Sequence, residues 1–274
     1  MSVADVRAAD AAAESPGGRA GIQLEGVRKG FGDLQVLDGF DLAVDEAETV
    51  AVIGRSGSGK SVLLKHVAGL IRPDEGEVWV DGERVSHASD EAMEELRPRI
   101  GYVFQFAGLF DSMSVGENIR MALRKRGVTG NAIEEWVERS LELVDLAGQA
   151  ERTPAELSGG MRKRAGLARA VAGRPDYLLY DEPTTGLDPV TTSLIGGLII
   201  RLKEEIGATS ILVTHDLASA FRVADRVAML YRGRLRAVGT PEEMKASDDP
   251  VVRAFVEGRV DLWPDDEEGE ERTR

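Results

Sequence analysis

The sequence predicts an α/β fold: a mainly parallel sheet with helices on both faces, joined by an antiparallel β subdomain and an inserted helical subdomain. Three observations predict it. Short apolar runs, Thr49-Val50-Ala51-Val52-Ile53, Tyr177-Leu178-Leu179-Tyr180 and Ser210-Ile211-Leu212-Val213-Thr214, read as buried strands alternating with helical stretches. The segment from Ile22 to Val44 alternates apolar and polar residues, as half-buried antiparallel strands do. From about Ser114 to Glu156, apolar residues fall at helical spacing, as in Ala132-Ile133-Glu134-Glu135-Trp136-Val137 and Leu141-Glu142-Leu143-Val144.

With 274 residues, the chain has room for one large α/β domain carrying an insertion. Residues 1–20 read as a disordered lead-in without the apolar core of a signal peptide. The main domain spans 21–240, with the helical subdomain over about 106–172. Helices follow over 241–260, opened by Thr240 as N-cap and Pro241 at the first helical position, and an acidic disordered tail covers 261–274. The net charge of −14 argues against nucleic acid as a partner, because that binding neutralises phosphates with Lys and Arg. Zero cysteines exclude disulfides and thiolate metal sites. The longest apolar stretch, around Leu194 to Ile200, is far short of the ~20 residues of a membrane helix.

Taken in order, the Ile22–Val44 strands enclose Phe31, either an exposed aromatic able to stack on a nucleobase or a core residue. Next comes Gly54-Arg55-Ser56-Gly57-Ser58-Gly59-Lys60-Ser61, between the strand ending at Ile53 and a helix opening at Val62. That context is the one a phosphate-binding loop requires, and it makes the core a P-loop NTPase core. Glycines let successive N–H groups point inward, the helix N-terminus adds positive charge, Lys60 reaches the β- and γ-phosphates, and Ser61 supplies a hydroxyl to Mg²⁺. Gly76 to Gly82 reads as a strand ended by an Asp-Gly turn, and Ile100 to Phe104 as a strand closed by Gln105. In Leu157-Ser158-Gly159-Gly160-Met161, Ser158 suits a helix N-cap, and Gly159 and Gly160 allow close approach to an anion. The strand over 177–180 delivers Asp181 to the sheet edge, where it can hold Mg²⁺ directly or through water, and Glu182 can polarise an attacking water. A helix near Val190 to Lys203 and two short strands, Val227 to Tyr231 and Leu235 to Val238, complete the domain.

These motifs, in this order, resemble the ATP-binding cassette (ABC) ATPases over nearly everything from Ile22 to about Gly239. The resemblance implies ATP and Mg²⁺ as cofactors. It implies that Phe31 stacks on adenine, that Gln105 contacts Mg²⁺ or water and senses the partner, and that His215 reaches the γ-phosphate. It further implies a head-to-tail homodimer, in which Ser158 and Gly160 act on the other subunit's ATP and Asp188 of Gly186-Leu187-Asp188-Pro189 links the two sites. His66 and His87 are assigned no role. Met161 stands where the commonest signature ends in Gln. The form Leu-Ser-Gly-Gly-Met-Arg-Lys-Arg-Ala-Gly-Leu-Ala-Arg-Ala resembles the ATPases of Mla/Mce-type lipid transporters, as do Phe104 to Asp111 and Asp249 to Gly258. That implies a peripheral ATPase on the cytoplasmic face of the inner membrane. It would work beneath a permease and with an Mce-domain lipid-binding protein to move phospholipid or a related lipid. An importer of small solutes such as amino acids is the competing cassette reading. A soluble cassette ATPase acting on DNA or ribosomes stands third, against the −14 charge.

Overall fold

The computed structural model describes residues 20–259. The lead-in over 1–20, apart from Ala20, and the acidic tail over 261–274 lie outside the described residues. In chain order come β1 (Ala20–Phe31), β2 (Leu34–Asp45), β3 (Thr49–Ile53), α1 (Lys60–Val67), β4 (Glu75–Val80) and β5 (Glu83–Arg84). Next are α2 (Asp90–Leu96), β6 (Ile100–Val103), α3 (Val115–Lys125), α4 (Ala132–Leu143) and α5 (Gly159–Val171). The remainder is β7 (Tyr177–Asp181), α6 (Pro189–Ile206), β8 (Thr209–Thr214), α7 (Leu217–Val223), β9 (Arg226–Tyr231), β10 (Arg234–Gly239), α8 (Pro241–Lys245) and α9 (Pro250–Val256).

Two sheets result. One is antiparallel, in the order β2-β1-β4-β5; the other runs β10-β9-β3-β8-β7-β6, parallel except for the β9–β10 pair at its edge. Successive strand residues point to opposite faces, and here both faces are buried. Ile53, Leu178, Tyr180 and Leu212 enter a core shared with α3, α5 and α6. Val52, Leu179, Ile211 and Val213 enter a second core shared with α1 and the antiparallel sheet. This two-sided burial explains why the strands read as continuous apolar runs rather than as alternating ones.

The helical segment is tied to the sheet by a partly buried cation. Arg126, just past α3, donates to the carbonyls of Pro98, Ala172, Ala170 and Ile100, so one guanidinium joins the end of α3 to β6 and to the end of α5. Burial lowers its pKa to about 10, a cost that hydrogen bonds to four carbonyls offset.

Two helices are absent from the sequence reading. Within α2 only Met93 and Leu96 are buried, so its periodic signal is too short to register, and Ser89 caps it through Ala92 N–H. The seven-residue α7 is capped by Asp216 through Ser219 N–H. The helix expected from Val190 to Lys203 extends over Pro189–Ile206 because Asp188 caps it and Pro189 is preorganised for its first position. The N-cap expected at Thr240 is present, and it forms part of a capping box in which Glu243 returns its carboxylate to Thr240 N–H.

Candidate functional site

Parallel register brings four strand ends to one edge. Ile53 pairs with Thr214, Asp181 with Val213, and Val103 with Tyr180. The segments after β3, β7, β8 and β6 therefore emerge side by side, at the carboxyl ends where α/β sheets bind ligands. They enclose a cleft of about 380 Å³ lined by Phe31, Val36, Ser56, Gly57, Gly59, Lys60, Ser61, Val62, Gln105, Glu182, Thr185 and His215.

The loop over 54–59 is shaped by two close approaches. A Cβ on Gly54 would lie 2.5 Å from the Leu230 carbonyl oxygen, and Gly59 has φ 102° with Val36 Cγ1 2.7 Å from its Cβ position. Backbone at that spacing admits only glycine. Ser58 Oγ is buried and finds no hydrogen-bond partner among the described residues. Lys60, 5% exposed, donates to the carbonyls of Gly54 (2.9 Å) and Arg55 (3.0 Å), with Glu182 Oε1 3.8 Å away. Burial pushes the Lys60 pKa down, and the charges of Glu182 and Asp181 oppose that shift.

Asp181 is held on both oxygens: Ser61 Oγ donates to Oδ1 at 2.6 Å and Tyr102 Oη to Oδ2 at 3.1 Å. Glu182 sits at φ 48°, a left-handed conformation uncommon outside glycine, and its N–H still donates to Val213 O at 2.9 Å. Its Oε2 lies 2.8 Å from His215 Nδ1, 3.1 Å from Thr185 Oγ1 and 3.5 Å from Thr214 Oγ1. Phe31, half exposed, ends β1 at the mouth of the cleft, with Lys29 Nζ 5.6 Å from its ring centre. The exposed alternative for Phe31 therefore holds over the core one.

Three sequence-predicted residues and Asp188 stand elsewhere. Ser158 caps α5 through Met161 N–H (3.3 Å), Gly159 and Gly160 open that helix, and none of them lines the cleft. Asp188 caps α6 through Val190 and Thr191 N–H, and its Oδ2 accepts from Thr191 Oγ1 at 2.6 Å. Thr191 Cγ2 in turn lies 2.7 Å from a Cβ position on Gly160, so Asp188 and the Ser158–Gly160 turn share a neighbour.

Sequence reasoning missed Tyr102, Thr185 and Thr214, which hold the carboxylates, and Lys163, which donates to the carbonyls of Gln105 (2.5 Å) and Glu182 (3.4 Å). Thr185, three residues beyond Glu182, was within reach of a local-turn argument. Tyr102 and Lys163 carry no local signal, because their partners lie on other elements.

The ABC transporter family profile matches residues 37–185. The chain belongs to this family. Relatives and solved structures agree. The chain is 40% identical over 239 residues to the probable ribonucleotide transport ATP-binding protein mkl of Mycobacterium leprae, covering 87% of this chain and 69% of that one. It is 41% identical over 258 residues to the chloroplastic protein Trigalactosyldiacylglycerol 3 of Arabidopsis thaliana, covering 88% and 74%. It is 38% identical over 236 residues to the methionine import ATP-binding protein MetN of Carboxydothermus hydrogenoformans, covering 86% and 69%. The dimeric post-hydrolysis structure of the ATP-binding cassette MJ0796 bound to ADP and Pi superposes with a TM-score of 0.74 at 31% identity, covering 80% of this chain and 98% of that one. As an ABC ATP-binding subunit, the chain binds ATP with Mg²⁺ and hydrolyses ATP.

The cleft fits both. The orphaned Ser58 hydroxyl and the buried Lys60 ammonium suit phosphate oxygens, and the Ser61–Asp181 pair supplies the hard oxygen donors that Mg²⁺ prefers.

Proposed function

We propose that this chain is the ATP-hydrolysing subunit of a lipid transporter, acting as a head-to-tail homodimer on the membrane surface beneath a permease and beside an Mce-domain lipid-binding protein. The observation that carries the assembly is the split of the motifs. Phosphate loop, Glu182 and His215 line one cleft, with Asp181 bound to Ser61 of that loop, whereas the exposed Ser158–Gly159 turn lies outside it. An anion-binding helix start outside the chain's own cleft gains its ligand from a second copy.

Within the cleft each residue then has a task. Lys60 and the loop N–H groups hold the β- and γ-phosphates, and Phe31 stacks on the base. Ser61, Asp181 and Gln105 would hold Mg²⁺, which supplies charge neutralisation at the phosphates. Glu182 accepts a hydrogen bond from the attacking water and draws away its proton. Thr185 and Thr214 keep the Glu182 carboxylate aimed, and His215 beside it donates toward the γ-phosphate.

Lipid as cargo is supported by the Met161 form of the signature and by a relative named for a galactolipid. The exposed Phe104, Phe106 and Phe110, which follow β6, supply the apolar surface a permease would grip. Among the described residues no helix is long and apolar enough to cross a membrane. Import of a small solute is the second reading, favoured by the similarity to MetN.

Purifying the tagged protein from detergent-solubilised membranes tests the proposal. Co-purification of a permease, an Mce-domain protein and phospholipid is expected. Recovery of a soluble solute-binding protein without lipid would keep the ATPase chemistry and replace the cargo.

A further inference from the structure

One face of α5 reads the loop that follows β6. Lys163, Gly166 and Arg169 recur at three-residue spacing, which places them along one side of a helix. Lys163 Nζ donates to Gln105 O. A Cβ on Gly166 would lie 2.6 Å from Ala107 O, so the helix and loop backbones are in contact there. Arg169 donates to Gly108 O, and its guanidinium carbon lies 5.5 Å from the centre of the Phe104 ring. The backbone over 105–108 is thus stitched to α5, while Phe106 projects outward at 87% exposure.

Lys163 does more than hold this loop. Its ammonium also donates to the carbonyl of Glu182 at 3.4 Å, and the residue is only 8% exposed. The Glu182 peptide needs outside support: its φ of 48° is a conformation that persists only where the surroundings over-determine it. Val213 O accepts the N–H on one side of Glu182, and Lys163 meets the carbonyl on the other. Burying a cation is costly, and it is offset here by two carbonyls and by the nearby charges of Glu182 and Asp181.

We propose that Lys163 is a positioning residue: through one ammonium it fixes the Gln105 and Glu182 peptides against α5, setting the aim of the Glu182 carboxylate at the attacking water. The inference rests on the proposed role of Glu182. A carboxylate displaced by an ångström loses the reaction while the phosphate contacts, made by a different loop, keep their affinity.

The test uses the full chain and compares wild type with Lys163→Met, Lys163→Gln and Glu182→Gln in steady-state ATP hydrolysis, binding of a fluorescent ATP analogue and thermal melting. Lys163→Met is expected to lower kcat about tenfold or more, leaving KM and nucleotide affinity within about threefold, because only the transition-state alignment is lost. Lys163→Gln keeps an N–H donor on a shorter arm, and its kcat is expected between the two. Wild-type kcat in Lys163→Met, or equal losses in the Met and Gln variants, would overturn the proposal. So would loss of KM, affinity and melting temperature together, the mark of a merely structural lysine. Should Lys163→Met fail to fold, Lys163→Leu takes its place, and failure of both overturns the positioning role. Glu182→Gln separates the two ideas: turnover persisting in that variant removes the role of Glu182 itself, whereas an inactive Glu182→Gln beside a fully active Lys163→Met removes only the role of Lys163.

Discussion

The cleft at the strand ends and the turn at the start of α5 both present a helix start beside glycines, yet they differ in how complete they are. The cleft gathers an ammonium, a hydroxyl, two carboxylates and an imidazole from three segments, and their hydrogen bonds interlock. The Ser158–Gly160 turn offers a helix start capped by Ser158, with no acidic residue in the first turn of the helix. A parallel sheet delivers the loops after its strands to one shared edge; a helix N-terminus on the surface converges on nothing until something is brought to it. The difference teaches that the first region is complete within one chain, whereas the second would be completed by the other copy in the proposed homodimer.

Four substitutions break or sharpen that contrast. The broadest effect belongs to Lys60→Ala, which removes the cleft's buried cation and should weaken ATP binding about a hundredfold or more, measured by titration with a fluorescent nucleotide, and take hydrolysis with it. Binding at wild-type strength would mean that the cleft is not where the phosphates sit. Glu182→Gln keeps shape and binding but loses the proton acceptor, so kcat should drop by about 10²- to 10⁴-fold with affinity retained. Gly159→Asp probes the other region. A Cβ there meets nothing within 4 Å in this chain, so melting temperature and ATP binding should hold, while hydrolysis falls about tenfold or more because a second copy's phosphates meet a carboxylate. Unchanged hydrolysis would leave the turn as an ordinary helix cap.

The smallest effect on hydrolysis belongs to the scaffold behind the cleft, where the readout is stability. His66 lies in α1 with Nδ1 2.9 Å from Val62 O and with Nε2 buried without a partner among the described residues, and burial lowers its pKa from 6.5 to about 4. The unfolded chain therefore binds the proton more readily than the folded one. Stability from this group is present in full above pH 6.5 and is lost as pH falls toward about 4, by up to about 3 kcal/mol. Denaturant melts across that window should show the decline, and His66→Leu should flatten it; an unaltered slope would place the acid sensitivity elsewhere.

Much of the cleft was legible because its parts are local. Gly54 to Ser61 signals itself by a strand, a glycine-rich turn and a helix in continuous sequence, and Asp181-Glu182 by an apolar run that stops at two carboxylates. Phe31 was not decidable, since an aromatic beside a turn can face either way. Tyr102 was hidden in a strand, where it looks like any other core residue until Asp181 is placed 3.1 Å from its hydroxyl. Lys163 reads as one more cation in Arg162-Lys163-Arg164, and nothing in that run says which of the three turns inward.

By itself the sequence determined the fold class, the order of the strands along the chain and the glycine-rich turn between β3 and α1, because periodicity, caps and close backbone turns are written in neighbouring residues. Only the tertiary structure decided which groups hold the Asp181 and Glu182 carboxylates, that Arg126 and the buried Lys163 serve carbonyls far away in sequence, and that Ser158 stands outside the cleft. Those outcomes depend on strand register and on how α5 packs across the loop after β6. Such long-range geometry is set by the burial of two cores at once, and no short window of sequence contains it.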